Sequence, residues 1–88
     1  MKLDSRDRGE IEAFGDFLLD HEEEVRTVVE ELKIDKSKII DFARGTLLLM
    51  TLGLLAQRNY DMESKEIVDF VNLLIRRRST EIESRYRR

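Results

Sequence analysis

The sequence predicts an all-α protein, an antiparallel three-helix bundle that associates as a homodimer. Three observations lead to this prediction. Apolar residues recur at helical spacing in the first and last thirds of the chain, and a nearly continuous apolar stretch lies between them. The chain contains no proline, and its four glycines are scattered, so nothing in it has the composition of a linker. Residues 1–88 are therefore expected to form a single helical domain.

The first helix is predicted from near Asp7 to near Lys33. Gly15 costs about 1 kcal/mol relative to alanine inside a helix, and the stretch from Asp20 to Glu23 has the pattern of a capping box. A break near residues 15–20, which would give four elements, is the alternative. The apolar seam alternates spacings of three and four, as in a packed helix, through Ile11, Phe14, Leu18, His21, Val25, Val28 and Leu32.

The second helix begins after Lys33–Ser37, where Asp35 or Ser37 is the expected N-cap, and continues to about Arg58. Twelve of the eighteen residues in 39–56 are apolar and surround the helix on every side. Such a helix must be covered all round, and two other helices cannot do that, so a second copy is expected. The predicted self-association interface comprises Leu47, Leu48, Leu52, Leu54 and Leu55. Gly45 and Gly53, eight residues apart, favour close approach of another backbone over a bend.

The third helix follows a turn at 58–61, with Asp61 or Ser64 as its cap, and has an apolar seam at Ile67, Val71 and Leu74. A basic helical tail is predicted from about residue 76. Oppositely charged residues lie four apart in this tail, and such pairs contribute about 0.2–0.5 kcal/mol each. The last three turns are expected to lie largely outside the core and to project past the bundle.

Composition excludes several classes of site. The chain has no cysteine and one histidine, which excludes disulfides, thiolate metal sites and histidine-rich metal sites. No cofactor is expected. The formal net charge of −3 combines −5 over residues 1–44 (13 acids, 8 bases) with +2 over residues 45–88 (6 acids, 8 bases). The sparse amide residues and dense ion pairs are typical of thermophilic proteins.

The N-terminus is charged where a signal peptide would be hydrophobic. The uninterrupted apolar run over 47–56 is shorter than the roughly 20 residues that a bilayer requires. A cytoplasmic protein with no membrane contact is therefore expected.

Among single residues, His21 is the strongest candidate for a functional role. It is either a pH switch or metal ligand among carboxylates, or a half-buried histidine at the rim of the core. The second interpretation is favoured, because Leu18 occupies the position where a helical Glu-x-x-His metal motif needs glutamate.

An acidic row at every fourth position runs along the same helix through Glu12, Asp16, Asp20 and Glu24. Like charges at this spacing repel, so arginines of the third helix are expected to offset them, within the chain or across a dimer.

The arginines of the tail are the candidate contacts for an anion or a nucleic acid, because the guanidinium group can donate two parallel hydrogen bonds to phosphate. Two glutamates interleaved among them and the acidic balance of the whole chain argue for a salt-bridged helix end instead. The candidates are Arg76, Arg77, Arg78, Arg85, Arg87 and Arg88.

The sequence thus predicts a non-catalytic helical self-association or protein-interaction module. Thr46, Thr51 and Ser64 have no His or Lys base at helical reach, so nucleophilic catalysis is not expected. A small nucleic-acid-binding regulator with a dimeric core and an arginine-rich final helix is the alternative. A heterologous protein partner in place of the second copy also stays open.

Overall fold

A computed structural model of the chain describes residues 3–87, and every regular element in that range is helical. The elements in chain order are α1 (Ser5–Asp20), α2 (Glu22–Glu31), a short 3-10 turn (Lys36–Lys38), α3 (Ile39–Gln57) and α4 (Lys65–Tyr86). The predicted all-α class is confirmed, and the four helices pack together.

The helices run up, down and up. Asp7, in the first turn of α1, binds Arg58, the residue that follows α3, so α1 and α3 are antiparallel. An ion pair joins Glu12, in the middle of α1, to Arg78 of α4, and a hydrogen bond joins Leu18 to Tyr86 further along both helices, so these two helices are parallel. The first predicted helix corresponds to α1 and α2 together, and the second and third correspond to α3 and α4.

The break in the first predicted helix lies at His21, one residue beyond the predicted region. His21 has φ −114° and ψ 39°, and its side chain makes no capping hydrogen bond to α2. The expected capping box is therefore not the cause. The break turns α2 so that Val25 and Val29 are buried, whereas Val28 and Leu32 of the predicted seam are exposed.

Ser64 caps α4 by accepting a hydrogen bond from the Ile67 amide, as the sequence predicts. Asp35 accepts a hydrogen bond from the Ser37 amide and so caps the 3-10 turn, whereas α3 itself begins after Lys38, which makes no side-chain capping bond. A left-handed residue lies two positions after the end of both α2 and α3, Lys33 (φ 59°) and Asn59 (φ 62°). In each case the next amide reaches back five residues to a carbonyl, which is the Schellman arrangement.

The final turns of α4 belong to the core, and the predicted projecting tail is wrong. Ile82 and Tyr86 are buried in one cluster with residues of α1, α2 and α3. A second cluster, at the other end of the bundle, joins Ile11 and Leu55 to Ile67 and Leu74. From α2, Val25 and Val29 join the first cluster, and Arg26 donates to the Tyr86 carbonyl at 3.0 Å, so α2 contacts the end of α4.

Candidate interaction surface

The side of α3 that points away from the core carries no charged residue from Phe42 to Ala56. Helical periodicity of about 100° per residue places seven residues of this segment on that side, and all seven are half-buried or exposed. Arg44 is the only charged residue of the segment, lies on another side and pairs with Asp41 at 3.8 Å. We define the outer face of α3 as Phe42, Gly45, Thr46, Leu49, Leu52, Gly53 and Ala56.

Leu49 is the most exposed large apolar residue described, at 72%. Gly45 and Gly53 flank it by one helical turn on either side. A methyl group added to either glycine would meet nothing within 4 Å in the described structure. The close backbone approach expected at these glycines is therefore not made by the chain's own described helices, and the outer face stays open to a partner.

The predicted interface leucines divide between the core and the surface. Leu47, Leu54 and Leu55 are buried by the chain's own helices, so they are not available to a partner while the bundle is folded. Leu48 and Leu52 are half-buried. Leu49, which the sequence analysis did not select, is the accessible member of the run. A helix that is apolar on every side does not indicate which side faces solvent. Which leucines of α3 stay accessible depends on where α1 and α4 pack against it.

A shallow apolar groove adjoins the outer face at the break between α1 and α2. It has a volume of about 180 Å³, and the exposed Phe17 and Val28 lie on its walls. The groove meets the outer face at Phe42 and Thr46, and Glu24 is its charged edge. The two features form one continuous apolar surface over α1, α2 and α3.

His21 lies beside this groove as a partly exposed residue. Its ring is 4.4 Å from the ring of Phe17, centroid to centroid, and its Nδ1 is 3.6 Å from a Glu24 carboxylate oxygen. Within residues 3–87 there is no group of three His, Cys, Asp or Glu side chains that could hold a metal ion. His21 and Phe17 therefore stack on each other at the surface, beside the groove.

The acidic row on α1 is neutralised partly within the chain. Buried Arg78 donates to Glu12 at 2.8 Å, lies 3.0 Å from Asp16 and 3.4 Å from Glu81. Arg77 also pairs with Glu12. Burial of the Glu12 carboxyl opposes its ionisation, but the hydrogen bonds from Arg78 and Arg77 outweigh that effect and lower its pKa. The predicted offset by arginines of the last helix is confirmed within the chain for Glu12 and Asp16.

Most of the tail arginines have partners in the chain itself. Arg77 and Arg78 are held by the acidic row, Arg85 donates to the Leu19 carbonyl at 2.8 Å, and Arg87 is 3.5 Å from Glu83. Arg76 is exposed beside Asp69, Asn72 and Leu73. Arg88 lies outside the described residues.

A second polar cluster, which the sequence analysis missed, fastens α1 to the connection between α3 and α4. Asp7 is buried, pairs with Arg58 and accepts a hydrogen bond from the Tyr60 hydroxyl at 2.6 Å. Arg58 also reaches Glu10 at 3.1 Å. These residues are far apart in sequence, and no local pattern signals their meeting.

Two threonines of α3 have structural surroundings. Thr46 donates to the carbonyl of Phe42 at 2.8 Å. Thr51 is fully buried, and its hydroxyl has no hydrogen-bond partner among the described residues.

The stretch Lys36–Gln57 is long and apolar enough, by length and composition alone, to cross a membrane. One third of its most apolar window is buried inside the bundle. Length and composition of this kind are shared by core helices of globular domains, so they do not fix where the protein resides.

Comparison of the chain with protein-family models, curated proteins and solved structures finds no match. The fold and the open apolar surface are therefore the basis for assigning a role.

Proposed function

We propose that this protein is a non-catalytic interaction module that associates with a second copy of itself through the outer face of α3. The observation that carries the proposal is Leu49, 72% exposed at the centre of a face without charge. Monomeric proteins rarely leave a large contiguous apolar patch in water, and such patches mark interaction sites.

Burial of this face would contribute a driving force for association. Removing a leucine side chain from water contributes about 1.5–3 kcal/mol. Leu49, the exposed part of Leu52 and the groove beside Phe17 together offer several such contributions, against the cost of fixing two chains relative to each other. Gly45 and Gly53 add no side chain, so the backbone of a partner helix has room to approach α3.

The test compares two leucines of similar exposure on different faces. Leu49→Glu places a charge at the centre of the outer face. Leu73→Glu is the matched control, because it places the same charge on α4, where Leu73 is 65% exposed beside charged residues. Sedimentation equilibrium on both folded variants is expected to give a monomer for Leu49→Glu and wild-type association for Leu73→Glu. Equal association of the two variants would eliminate the outer face as the interface.

The alternative is an anion-binding or nucleic-acid-binding role for the arginines of α4. It is supported by Arg76, which is exposed and forms no ion pair with the residues that the structure describes. The intrachain contacts of Arg77, Arg78 and Arg85 weigh against it, because those donors are already engaged. This alternative requires that a short duplex binds at low salt, that binding weakens as salt rises, and that Arg76→Glu weakens it further. Absence of binding by the wild-type chain at low salt would remove it.

A further inference from the structure

A second surface lies between α1 and α4, where two shallow grooves of about 290 and 180 Å³ meet at Leu73. Leu73 is 65% exposed, and the half-buried ring of Phe70 lies beside it, one turn earlier on α4. Arg76 borders the first groove, and Arg8 of α1 borders the second. We define the α1–α4 groove as the surface formed by Arg8, Phe70, Leu73 and Arg76.

The carboxylates that border this groove are engaged by other cations. Asp69 lies 2.6 Å from the ammonium group of Lys65, one turn away on the same helix. Glu12 accepts hydrogen bonds from Arg77 and from the buried Arg78. The same contact occupies Arg77, which also lines the groove. Each of the two carboxylates therefore already has its own cation.

Arg8 and Arg76 are the cations of the groove that lack an anion. Neither forms an ion pair with any residue in the described range 3–87. The guanidinium carbon of Arg8 lies over the ring of Phe70, 5.6 Å from its centre. Arg76 is exposed and follows Leu73 by one helical turn. An unpaired cation thus lies beside each member of the apolar pair Phe70 and Leu73.

This combination favours an acidic amphipathic helix over a nucleic acid as the ligand. Bases stack on open aromatic faces, but Arg8 covers the ring of Phe70. Leu73 offers a base or a phosphate no hydrogen-bond donor. Nucleic-acid surfaces have a strongly basic balance, whereas Asp69 and Glu12 border this groove. An amphipathic helix with acidic flanks brings both an apolar face and the missing anions.

The spacing of the groove defines the pattern that such a helix needs. Phe70, which lies under Arg8, and Arg76 are six residues apart on α4, or about 9 Å along its axis. Two glutamates two turns apart on a partner helix are separated by about 10 Å, and leucines one turn from each lie between them on the same face. That face matches the order of cation, apolar pair and cation in the groove.

We propose that the α1–α4 groove binds an acidic amphipathic helix of a partner protein. The apolar face of that helix covers Phe70 and Leu73, and its carboxylates pair with Arg8 and Arg76. The self-association proposed above uses α3, so this site and the dimer can be tested separately.

NMR titration of the isotope-labelled full-length chain with two synthetic helical peptides tests the proposal. The first peptide has glutamates two turns apart with leucines between them on one face. The control peptide has the same composition, but its glutamates lie on the face opposite the leucines. We expect saturating shifts of the amide signals along the groove with the first peptide at low salt. The control peptide is expected to bind about tenfold more weakly, because it loses both ion pairs.

Substitutions separate this site from general attraction between opposite charges. Arg8→Gln and Arg76→Gln are each expected to weaken binding of the first peptide about two- to fivefold. Leu73→Glu is expected to weaken it about tenfold or more, because the apolar contact is lost. Arg6→Gln is the matched control, since Arg6 is exposed, has no ion-pair partner in the described range and lies on another side of α1. It is expected to bind the peptide as the wild type does.

Three results would overturn the proposal. The first is no binding of the acidic peptide at low salt, and the second is an equal effect of Arg6→Gln and Arg8→Gln, which would show a response to net charge alone. The third is binding of a short DNA duplex, but not of the peptide, that weakens in Arg8→Gln and Arg76→Gln. Leu49→Glu is expected to keep wild-type peptide binding, so a failure of this site is distinguishable from a failure of self-association.

Discussion

At the scale of single residues, Gly15 is the glycine of α1 that lies directly against another side chain, that of Arg78. A β-carbon at position 15 would lie 2.8 Å from Nε and 3.0 Å from Cζ of Arg78. The guanidinium lies over this glycine while its donors bind Glu12 and Asp16. The sequence predicts that Gly15 destabilises the helix. In the structure, its lack of a side chain leaves room for the side chain of the buried Arg78 to cross α1.

Gly15→Ala is expected to lower the free energy of unfolding, even though alanine favours a helix by about 1 kcal/mol. The added methyl group must displace the Arg78 side chain from its carboxylate partners, and breaking a buried ion pair costs more than the helix gains. Gly9→Ala, in the same helix but with nothing within 4 Å, is the matched control and is expected to stabilise. Urea denaturation measures both variants, and equal stabilisation by the two would refute the explanation.

The ion pairs of Glu12 predict a dependence of stability on pH. Because the pKa of Glu12 is lower in the folded chain than in the unfolded one, its contribution is complete above the unfolded value, about 4.3. That contribution is lost as pH falls through the folded pKa. Glu12→Gln is expected to be about 1–2 kcal/mol less stable at pH 7 and to lose less stability between pH 6 and pH 3.

The control for Glu12→Gln is Glu31→Gln, which makes the same change of charge on the exposed end of α2. Chemical denaturation at several pH values gives the two profiles. A Glu12→Gln profile parallel to that of wild type would show that Glu12 does not carry the effect.

At the scale of elements, the sequence predicts the helices well and their ends less well. The apolar spacing predicts burial of Ile11, Leu18 and Val25, and the caps Asp35 and Ser64 are readable from local pattern. The rotation of α2 at His21 cannot be predicted from the sequence, because it depends on contacts with residues of α3 and α4 that are distant in sequence. Burial of the last turns of α4 depends on that rotation, and the charged composition of these turns does not predict that they are buried.

Tyr86 is predicted to be essential for the end of α4. Its ring is buried, its hydroxyl donates to the Leu18 carbonyl, and burial raises its pKa to about 12, which keeps the donor protonated. Tyr86→Phe is expected to cost about 1–3 kcal/mol through the unpaired buried carbonyl. Tyr86→Ala is expected to cost about 3–5 kcal/mol through the cavity as well.

Thermal or urea unfolding measures these costs, with Arg87→Ala as the exposed neighbouring control, expected within about 0.5 kcal/mol of wild type. If Tyr86→Ala were as stable as Arg87→Ala, the end of α4 would not belong to the core. The same packing means that deletion of residues 76–88 removes core side chains, so point substitution of Arg76 is the cleaner probe of anion binding.

At the scale of the whole molecule, the composition of α3 is the feature that connects sequence to assembly. A helix that is apolar on every side predicts a need for more cover than two neighbours provide. The described structure has the corresponding open surface at Leu49 between Gly45 and Gly53. The sequence does not predict which leucines face outward, because every side of α3 is apolar and the outer side is defined only by the positions of α1 and α4.

The mass of the wild-type chain in solution, measured by light scattering over a range of concentrations at low and high salt, tests the proposed self-association most directly. We expect twice the mass of one chain at both salt concentrations, because salt screens interactions between exposed charges and does not screen the burial of apolar surface that holds the two copies together. A folded monomer at every concentration would contradict the proposal, since the outer face of α3 would then be stable in water without a second copy.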